Sequence, residues 1–333
     1  MNTKKLLKLG SLLLVLLMVL SVSAFAQVRT WYVNNQIGSD GYDGLSATIT
    51  PPSTGPKRTI NRAITEANDG DIIVIASTGA DYSAATGEPA GGLDPGNKII
   101  TFQSSGGTPK VTTLFNLNNT AVASVNTQAI TFGGPVWFAS GFSLQRGAVV
   151  GASNLTFTGT VTRFAYVGAD PTFDAAPTYS GAVNLLYEST VVTSEITSGN
   201  EFLSSGVTNL SVGSVGGAAT AIAFTLNGAK TITGVLTTVE TSTMNLGTNA
   251  LTISTASVLH SVDGDVTNGT LTFSMSGATT ITGSVAGVDL PSISGTSTTG
   301  TPLLTLATIA TTKGITISGD ASFTAALTGG TST

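Results

Sequence analysis

Two pairs of closely spaced carboxylates are the residues of this sequence best suited to chemistry. Asp170 and Asp174 form one pair, and Asp263 and Asp265 form the other. Glycosidic bond cleavage uses two carboxyl groups that face one groove. Asp263-Gly264-Asp265 is, however, also typical of a turn between strands. We therefore predict no catalytic residues, and these four aspartates are the candidates should the chain be a polysaccharide lyase or glycoside hydrolase.

Basic partners for such carboxylates are sparse. The basic residues after position 110 are Arg146, Arg163, Lys230, His260 and Lys313. They are far apart in sequence, although stacked coils could bring some of them together. His260 is the only imidazole, and one histidine cannot form a metal site alone. We predict that it lies outward on the surface.

The loop that contains Asp40 and Asp43 is the candidate metal site. Both carboxylates are hard oxygen ligands, and Ca²⁺ takes six to eight oxygens. Glycines surround both residues, so Asp-Gly turn chemistry explains the same loop without a metal. The prediction is no cofactor, with Ca²⁺ as the ion that this loop would suit.

Aromatic and hydroxyl side chains are the candidate ligand-binding groups. Trp31, Tyr42 and Trp137 could stack on sugar rings of an extracellular polysaccharide. Threonine rows would line one outer face, and regular rows of this kind can bind ice or sugars. Threonine is also a good strand residue on a solvated face. The rows are Thr231/Thr233, Thr270/Thr272 and Thr316/Ser318.

The elements that must position these residues begin where the spacing of apolar residues changes from a helical pattern at Ile60 to a continuous run at Ile72. Apolar residues at i, i+3, i+4 and i+7 from Ile60 predict a short helix with Thr59 as its N-cap. Asn68-Asp69-Gly70 predicts the helix exit. The β-branched run Ile72–Ile75 predicts a strand buried on both faces. We expect this helix to cap the end of a β-structure.

A repeat follows from about residue 210. Inward apolar positions recur at separations of 20, 21, 20, 20 and 22 residues. A constant step of this size predicts a solenoid, whereas β-sandwich domains would need longer repeats and hairpin turns. The inward positions, predicted to stack in one column, are Val212, Ile232, Ile253, Phe273, Ile293 and Ile315.

The N-terminus and the composition predict export. Lys4, Lys5 and Lys8 precede an apolar core and a small-x-small site at residues 24–26, which is typical of a secretion signal. Its removal changes the net charge from −5 to −8, which argues against nucleic acid and anionic membranes as partners. We expect no membrane span after cleavage. Cysteine is absent, so neither a lipid anchor on cysteine nor disulfides are expected.

Two stretches resemble known families. The segment from Trp31 to Tyr82, with Gly38-Ser39-Asp40-Gly41 and Gly70-Asp71-Ile72-Ile73, resembles the entry of secreted right-handed parallel β-helix proteins of the pectin-lyase-like group. Residues 181–259, with Ala182-Val183-Asn184-Leu185 and Leu246-Gly247-Thr248-Asn249, resemble repeats of large cell-surface proteins of Bacteroidetes-type bacteria. The resemblance implies an extracellular or outer-surface location.

These observations predict an all-β, right-handed parallel β-helix, or solenoid, with a short N-terminal capping helix. The predicted divisions are a signal peptide (1–26), an N-terminal strand, capping helix and first coils (27–110), and further coils (111–333). Residues 321–333 show no closing helix, so we expect a following domain, a partner or a second copy to cover that end, with end-to-end filaments as one outcome.

Four functions remain open. The leading hypothesis is a non-enzymatic structural or adhesive protein that contacts a polysaccharide or cell-surface component. The alternatives are a polysaccharide lyase or glycoside hydrolase, a carbohydrate- or ice-binding module, and a self-assembling fibre subunit.

Overall fold

The computed structural model describes residues 27–117, 129–145, 147–165, 170–189, 194–213, 221–255, 259–276, 279–282, 290–297, 303–307, 317–319 and 324–328. The predicted signal peptide lies outside these residues. Arg146, Lys313, Ile315 and Thr316, along with most of 321–333, also lie outside them.

The capping helix predicted from the sequence is confirmed. Helix α1 (Ile60–Glu66) begins after Thr59, whose hydroxyl accepts a hydrogen bond from the Arg62 amide at 3.1 Å. It packs against the first two strands, with Ile60, Ala63 and Ile64 buried. Ala67 is the C-cap, so the helix ends before the predicted exit at 68–70. Short 3-10 turns follow at Ala84–Thr86 and Ala152–Asn154.

Four sheets contain the described strands, numbered here in chain order. Sheet 1 contains β1 (Thr30–Val33), β2 (Ile72–Ala76), β3 (Thr101–Ser105), β6 (Ala129–Phe132), β9 (Ala148–Val150) and β11 (Thr172–Phe173). Sheet 2 contains β4 (Lys110–Val111), β5 (Phe115–Leu117), β7 (Val136–Phe138), β8 (Phe142–Leu144), β10 (Leu155–Ala165), β12 (Thr178–Ser189), β14 (Asn209–Val212), β17 (Leu236–Thr238), β20 (Leu259–Val262), β23 (Thr279–Thr282), β25 (Leu303–Ala307) and β27 (Thr324–Thr328). Sheet 3 contains β13 (Ser194–Thr197), β15 (Ile222–Thr225), β18 (Thr243–Asn245) and β21 (Asp265–Thr267). Sheet 4 contains β16 (Lys230–Ile232), β19 (Ala250–Thr255), β22 (Thr270–Met275), β24 (Ser292–Ser297) and β26 (Ile317–Gly319).

Every pairing between these described strands is parallel, and each strand pairs with the equivalent strand of the next coil. Parallel neighbours need a long connection between them, and here the other sheets of the same coil supply it. The protein is therefore an all-β parallel β-helix with a short N-terminal helix, as the sequence predicts.

The predicted inward column is correct only in its middle. Ile232, Ile253 and Phe273 are paired in sheet 4, and all three are completely buried. Val212 is also buried but lies in sheet 2, where it pairs with Thr238. The twenty-residue spacing from Val212 to Ile232 therefore joins residues of two different sheets, which spacing alone cannot reveal.

Ile293 lies in a neighbouring column. It pairs with Leu271, and Gly295 is the residue opposite Phe273. The segment between β22 and β24 is longer than the regular step, and this moves the register by two residues. A two-residue shift keeps Ile293 facing inward, because side chains of a strand alternate with period two.

Strand β2 also differs from its prediction. Ile73 and Ile75 are buried, whereas Ile72 and Val74 are only half-buried. The prediction of burial on both faces is therefore wrong. Helix α1 packs over the end of the coil and leaves the outer face of β2 partly open.

Phenylalanines dominate the core between β3 and β11. Phe102 stacks on Phe132 with 5.4 Å between ring centroids, and Phe115 stacks on Phe142 at 5.2 Å. Edge and tilted contacts continue the series through further buried rings. Offset and edge-to-face contacts are the favoured arrangements of aromatic pairs, so this stack specifies the register of the early coils. The further rings are Phe138, Phe157 and Phe173.

Candidate functional site

A pocket of about 550 Å³ opens where three successive coils meet. Strand β10 supplies its floor, β11 one wall, the connection from β13 to β14 a second wall, and β16 the opposite side. The residues that decide its chemistry are Arg163, Phe173, Asn200, Phe202, Asn227 and Lys230.

The floor is a buried ion pair. Arg163 Nη1 lies 2.6 Å from Glu201 Oε1, and the two side chains are 3% and 1% exposed. Arg163 also donates from Nε to the Pro171 carbonyl at 3.1 Å and from Nη1 to the Thr197 carbonyl at 3.0 Å. Burial disfavours the guanidinium charge, but Glu201 more than compensates and raises the pKa of Arg163. The pair is therefore charged and fixed in orientation.

Two tyrosines complete this network. Tyr187 donates its hydroxyl to Glu201 Oε1 at 2.6 Å, and Tyr179 donates to the Glu201 carbonyl. Burial first, and then the negative charge of Glu201, raise the pKa of both phenols. Both tyrosines are therefore neutral donors. Glu201 Oε2 is buried and accepts no hydrogen bond from the described residues.

Lys230 is the cation that faces the pocket. Its ammonium donates to the Phe202 carbonyl and lies 5.5 Å from the centroid of the Phe202 ring. Burial lowers the pKa of Lys230, and Glu201 opposes that shift. Among the described residues, no carboxylate forms an ion pair with it. Asn200 and Asn227, both exposed, add amide groups at the rim.

The lining of the pocket offers groups that can bind a ligand. Glu201 is held by Arg163 and Tyr187, and the tyrosines keep their protons. The groups of the described lining that can face a ligand are the Lys230 ammonium and the amides of Asn200 and Asn227.

Sequence reasoning noted Arg163 and Lys230 only as scattered bases, and it missed Glu201. Arg163 occupies an inward position of β10, between the buried residues Val161 and Ala165. A charge at an inward position of a strand requires a buried partner. That signal could have been found only once the inward face of β10 was known.

The first pair of candidate aspartates makes contacts within the fold. Asp174 accepts hydrogen bonds from the Gly151 and Ala152 amides at 2.8 and 2.9 Å. Asp170 instead lies near Arg163, where its charge contributes to the raised pKa of that residue.

The second pair occupies a turn between β20 and β21. Asp263 Oδ2 accepts a hydrogen bond from the Ser261 hydroxyl at 3.0 Å. Gly264 donates its amide to the Thr238 hydroxyl and accepts a bond back at its carbonyl, both at 3.0 Å. Asp265 begins β21. These contacts are those expected of an Asp-Gly turn.

Asp40 and Asp43 hold the N-terminal loop together. Asp40 Oδ1 accepts from the Arg58 and Thr59 amides at 3.0 and 2.9 Å. Asp43 Oδ1 accepts from the Leu45 amide at 3.0 Å, and this bond lowers the pKa of Asp43. No group of three or more candidate metal ligands occurs among the described residues. Backbone amides therefore bond to these carboxylates in the way that turn chemistry requires.

The three aromatic candidates lie apart in the fold. Trp31 is only 4% exposed and donates Nε1 to Asp71 at 2.9 Å, so it belongs to the core. Tyr42 is half-buried against Gly55. Trp137 is half-buried in β7, with Lys110 Nζ 5.1 Å from its ring centroid. Tyr42 and Trp137 are thus the two candidates that are partly exposed.

His260 is buried, and the prediction of an outward position is wrong. Its Nδ1 accepts a hydrogen bond from the Leu236 amide at 3.1 Å, and its ring lies edge-on to Phe273. Burial lowers the pKa of His260 to about 4. His260 is therefore a neutral core side chain. Its Nδ1 takes the place of a backbone carbonyl as the acceptor for the Leu236 amide.

One outer face carries a register of hydroxyl residues. The pairings of sheet 4 align Thr231 with Thr252, Thr272 and Ser294 on successive strands. Neighbouring strands lie about 4.8 Å apart, so the column repeats at that interval.

Comparisons with protein-family models, curated proteins and solved structures find no match to this chain. Among the described residues, no helix has the length and hydropathy required to cross a membrane.

Proposed function

We propose that this protein is an exported, non-catalytic β-solenoid that acts as a rigid structural or adhesive element at the cell surface or outside the cell. Its N-terminal sequence is typical of a secretion signal. The resemblance to pectin-lyase-like β-helices and to Bacteroidetes-type surface proteins supports the same role and location.

The observation that carries the proposal is how the acidic groups are used. Asp40 and Asp174 bond to backbone amides, and Glu201 to a buried arginine, so these carboxylates hold adjacent segments together. A polysaccharide-cleaving site would need such groups open to a groove. The parallel ladder adds stiffness, because each coil hydrogen-bonds to the next along its length.

Two measurements test this proposal. Purified protein incubated with pectin, alginate and neutral glycans, with and without Ca²⁺, should release no unsaturated or reducing sugar. Small-angle X-ray scattering should give the profile of a stiff rod. Turnover that disappears in Asp170→Ala or Asp263→Ala would overturn the non-catalytic assignment, and a flexible-chain profile would overturn the rigid one.

The hydroxyl register of sheet 4 supports a second candidate function, binding of a sugar lattice or of ice. Thr252 and Thr272 lie near the middle of the register, so Thr→Lys changes there should abolish binding while Thr→Val changes preserve the strands. Thermal hysteresis and polysaccharide pull-down would measure the two activities. Identical results for wild type and the lysine variants would exclude this face.

A further inference from the structure

Lys230 is a charged group of the pocket between β10 and β16 that forms no ion pair with the described residues. Arg163 is neutralised by Glu201, and Asp170 also acts on that guanidinium. Among the described residues, Glu201 is the only carboxylate that influences Lys230, and it is committed to Arg163. The ammonium of Lys230 therefore remains to attract an anion.

The rim supplies groups that recognise hydroxyls. Asn227 is held in place by its backbone amide, which donates to the Ser198 hydroxyl at 2.8 Å, and its exposed side-chain amide lies at the pocket rim. Asn200 donates from Nδ2 to the Phe173 carbonyl at 2.8 Å, which fixes the direction of its Oδ1. An amide offers both donors and an acceptor, as hydroxyl recognition requires. Ser204 and Ser205 add hydroxyl groups at the edge.

The floor is preorganised. The ion pair, the two tyrosine bonds and the Gly199 amide bond to Glu201 Oε1 at 2.9 Å hold it in one arrangement. A β-carbon at Gly199 would lie 2.7 Å from Glu201 Oε2, so glycine is needed where the connection from β13 to β14 passes the ion pair. A volume of about 550 Å³ is within the usual range of small-molecule sites. Because the site is already ordered, ligand binding costs less conformational entropy.

We propose that this pocket binds a small hydroxylated oxyanion, with Lys230 contacting the anionic group and Asn200 and Asn227 contacting hydroxyls. The anionic group is a carboxylate or a phosphate. This binding is independent of the structural role proposed above, since it requires only the pocket.

Isothermal titration calorimetry of the purified protein would test the proposal. The probes are gluconate, glucose 6-phosphate and, as the neutral control, glucose. At least one anion should bind with saturation, more weakly as salt is added, and glucose should bind at least tenfold more weakly. Which anion binds identifies the carboxylate or the phosphate as the preferred group.

Variants assign the binding to the pocket. Lys230→Met should weaken the anion about tenfold or more, and Lys230→Arg should retain it. Arg58→Met removes an exposed charge elsewhere and should have no effect. Asn227→Asp places a negative charge on the exposed rim and should also weaken binding, which provides a second test should Lys230→Met fail to fold.

Three results would overturn the proposal. They are the absence of saturable binding by either anion, equal binding of glucose, and unchanged anion affinity in correctly folded Lys230→Met or Asn227→Asp. Unchanged far-ultraviolet circular dichroism would establish that each variant is folded.

Discussion

Removal of Arg163 should be among the most damaging single changes in this chain. Arg163→Met would leave Glu201 buried at 1% exposure without its counter-ion and would free the carbonyls of Pro171 and Thr197. Breaking a buried pair from one side destabilises a protein by about 3–5 kcal/mol. Converted to an equilibrium, this is roughly a 10²- to 10⁴-fold increase in local opening.

Hydrogen exchange followed by mass spectrometry is the suitable assay, because a solenoid can open coil by coil and a single melting temperature would average over coils. Peptides that cover β10 and β12 to β15 should lose protection, while peptides that cover β1 to β3 should not. Lys110→Met is the matched control. It breaks the half-exposed pair with Asp81, which is worth about 1 kcal/mol or less.

A double change separates charge from packing. Arg163→Met combined with Glu201→Gln should recover part of the lost protection, because no buried charge then remains. An Arg163→Met variant no more harmful than Lys110→Met would refute a stabilising role for the buried pair. A double variant as unstable as the sum of the two single variants would refute it as well.

Three further predictions concern buried side chains. Burial raises the pKa of Glu88 to about 7. The stability that this pKa shift contributes is therefore complete below about pH 4.5 and is lost as the pH rises through 7. Glu88→Gln should remove this pH dependence from amide exchange in α1, whose Ile60 amide donates to Glu88. The pKa of His260 is lowered to about 4. The stability that this pKa shift contributes around β20 is therefore present above pH 6.5 and is lost as the pH falls towards 4. His260→Gln should flatten this dependence of stability on pH, and an unchanged dependence in the variant would contradict the prediction. Phe273→Asp should prevent folding of the later coils because it buries an unpaired charge, whereas Phe273→Leu should lower the free energy of unfolding by about 1 kcal/mol. Melting followed by circular dichroism distinguishes the two variants. Wild-type stability of the aspartate variant would show that Phe273 is not a core residue.

Sequence periodicity predicted the fold because it reports on burial one coil at a time. Helix α1 was predictable from its apolar spacing and from the hydroxyl of Thr59. The β-helix was predictable from the repeat interval. Which sheet a given residue joins depends on where each coil bends, and the sequence marks those bends poorly. Val212 was therefore placed in the wrong column, and Ile293 was placed two residues out of register.

The candidate site was harder to predict for a different reason. The carboxylates that the sequence brings closest together are neighbours in the chain, such as Asp170 and Asp174. In a parallel β-helix, contacts form between residues about one or two coils apart. Arg163 and Glu201 are separated by 38 positions, and Glu201 interacts with Lys230 from the next coil. The same stacking makes His260 a core residue, since the alternation of β20 turns it inward.

The pocket forms where the coil length is irregular. Between β13 and β14 the chain makes a long connection through Gly199, Glu201 and Phe202, which lies over the end of β11. Coils such as the one that joins the paired residues Thr252 and Thr272 are shorter, and most of their residues are needed for strands and corners. A long connection can carry both a buried carboxylate and an open cavity, because its residues need not all pair with adjacent strands. Shortening that connection should therefore remove anion binding while the parallel pairing of β12 with β14 is retained.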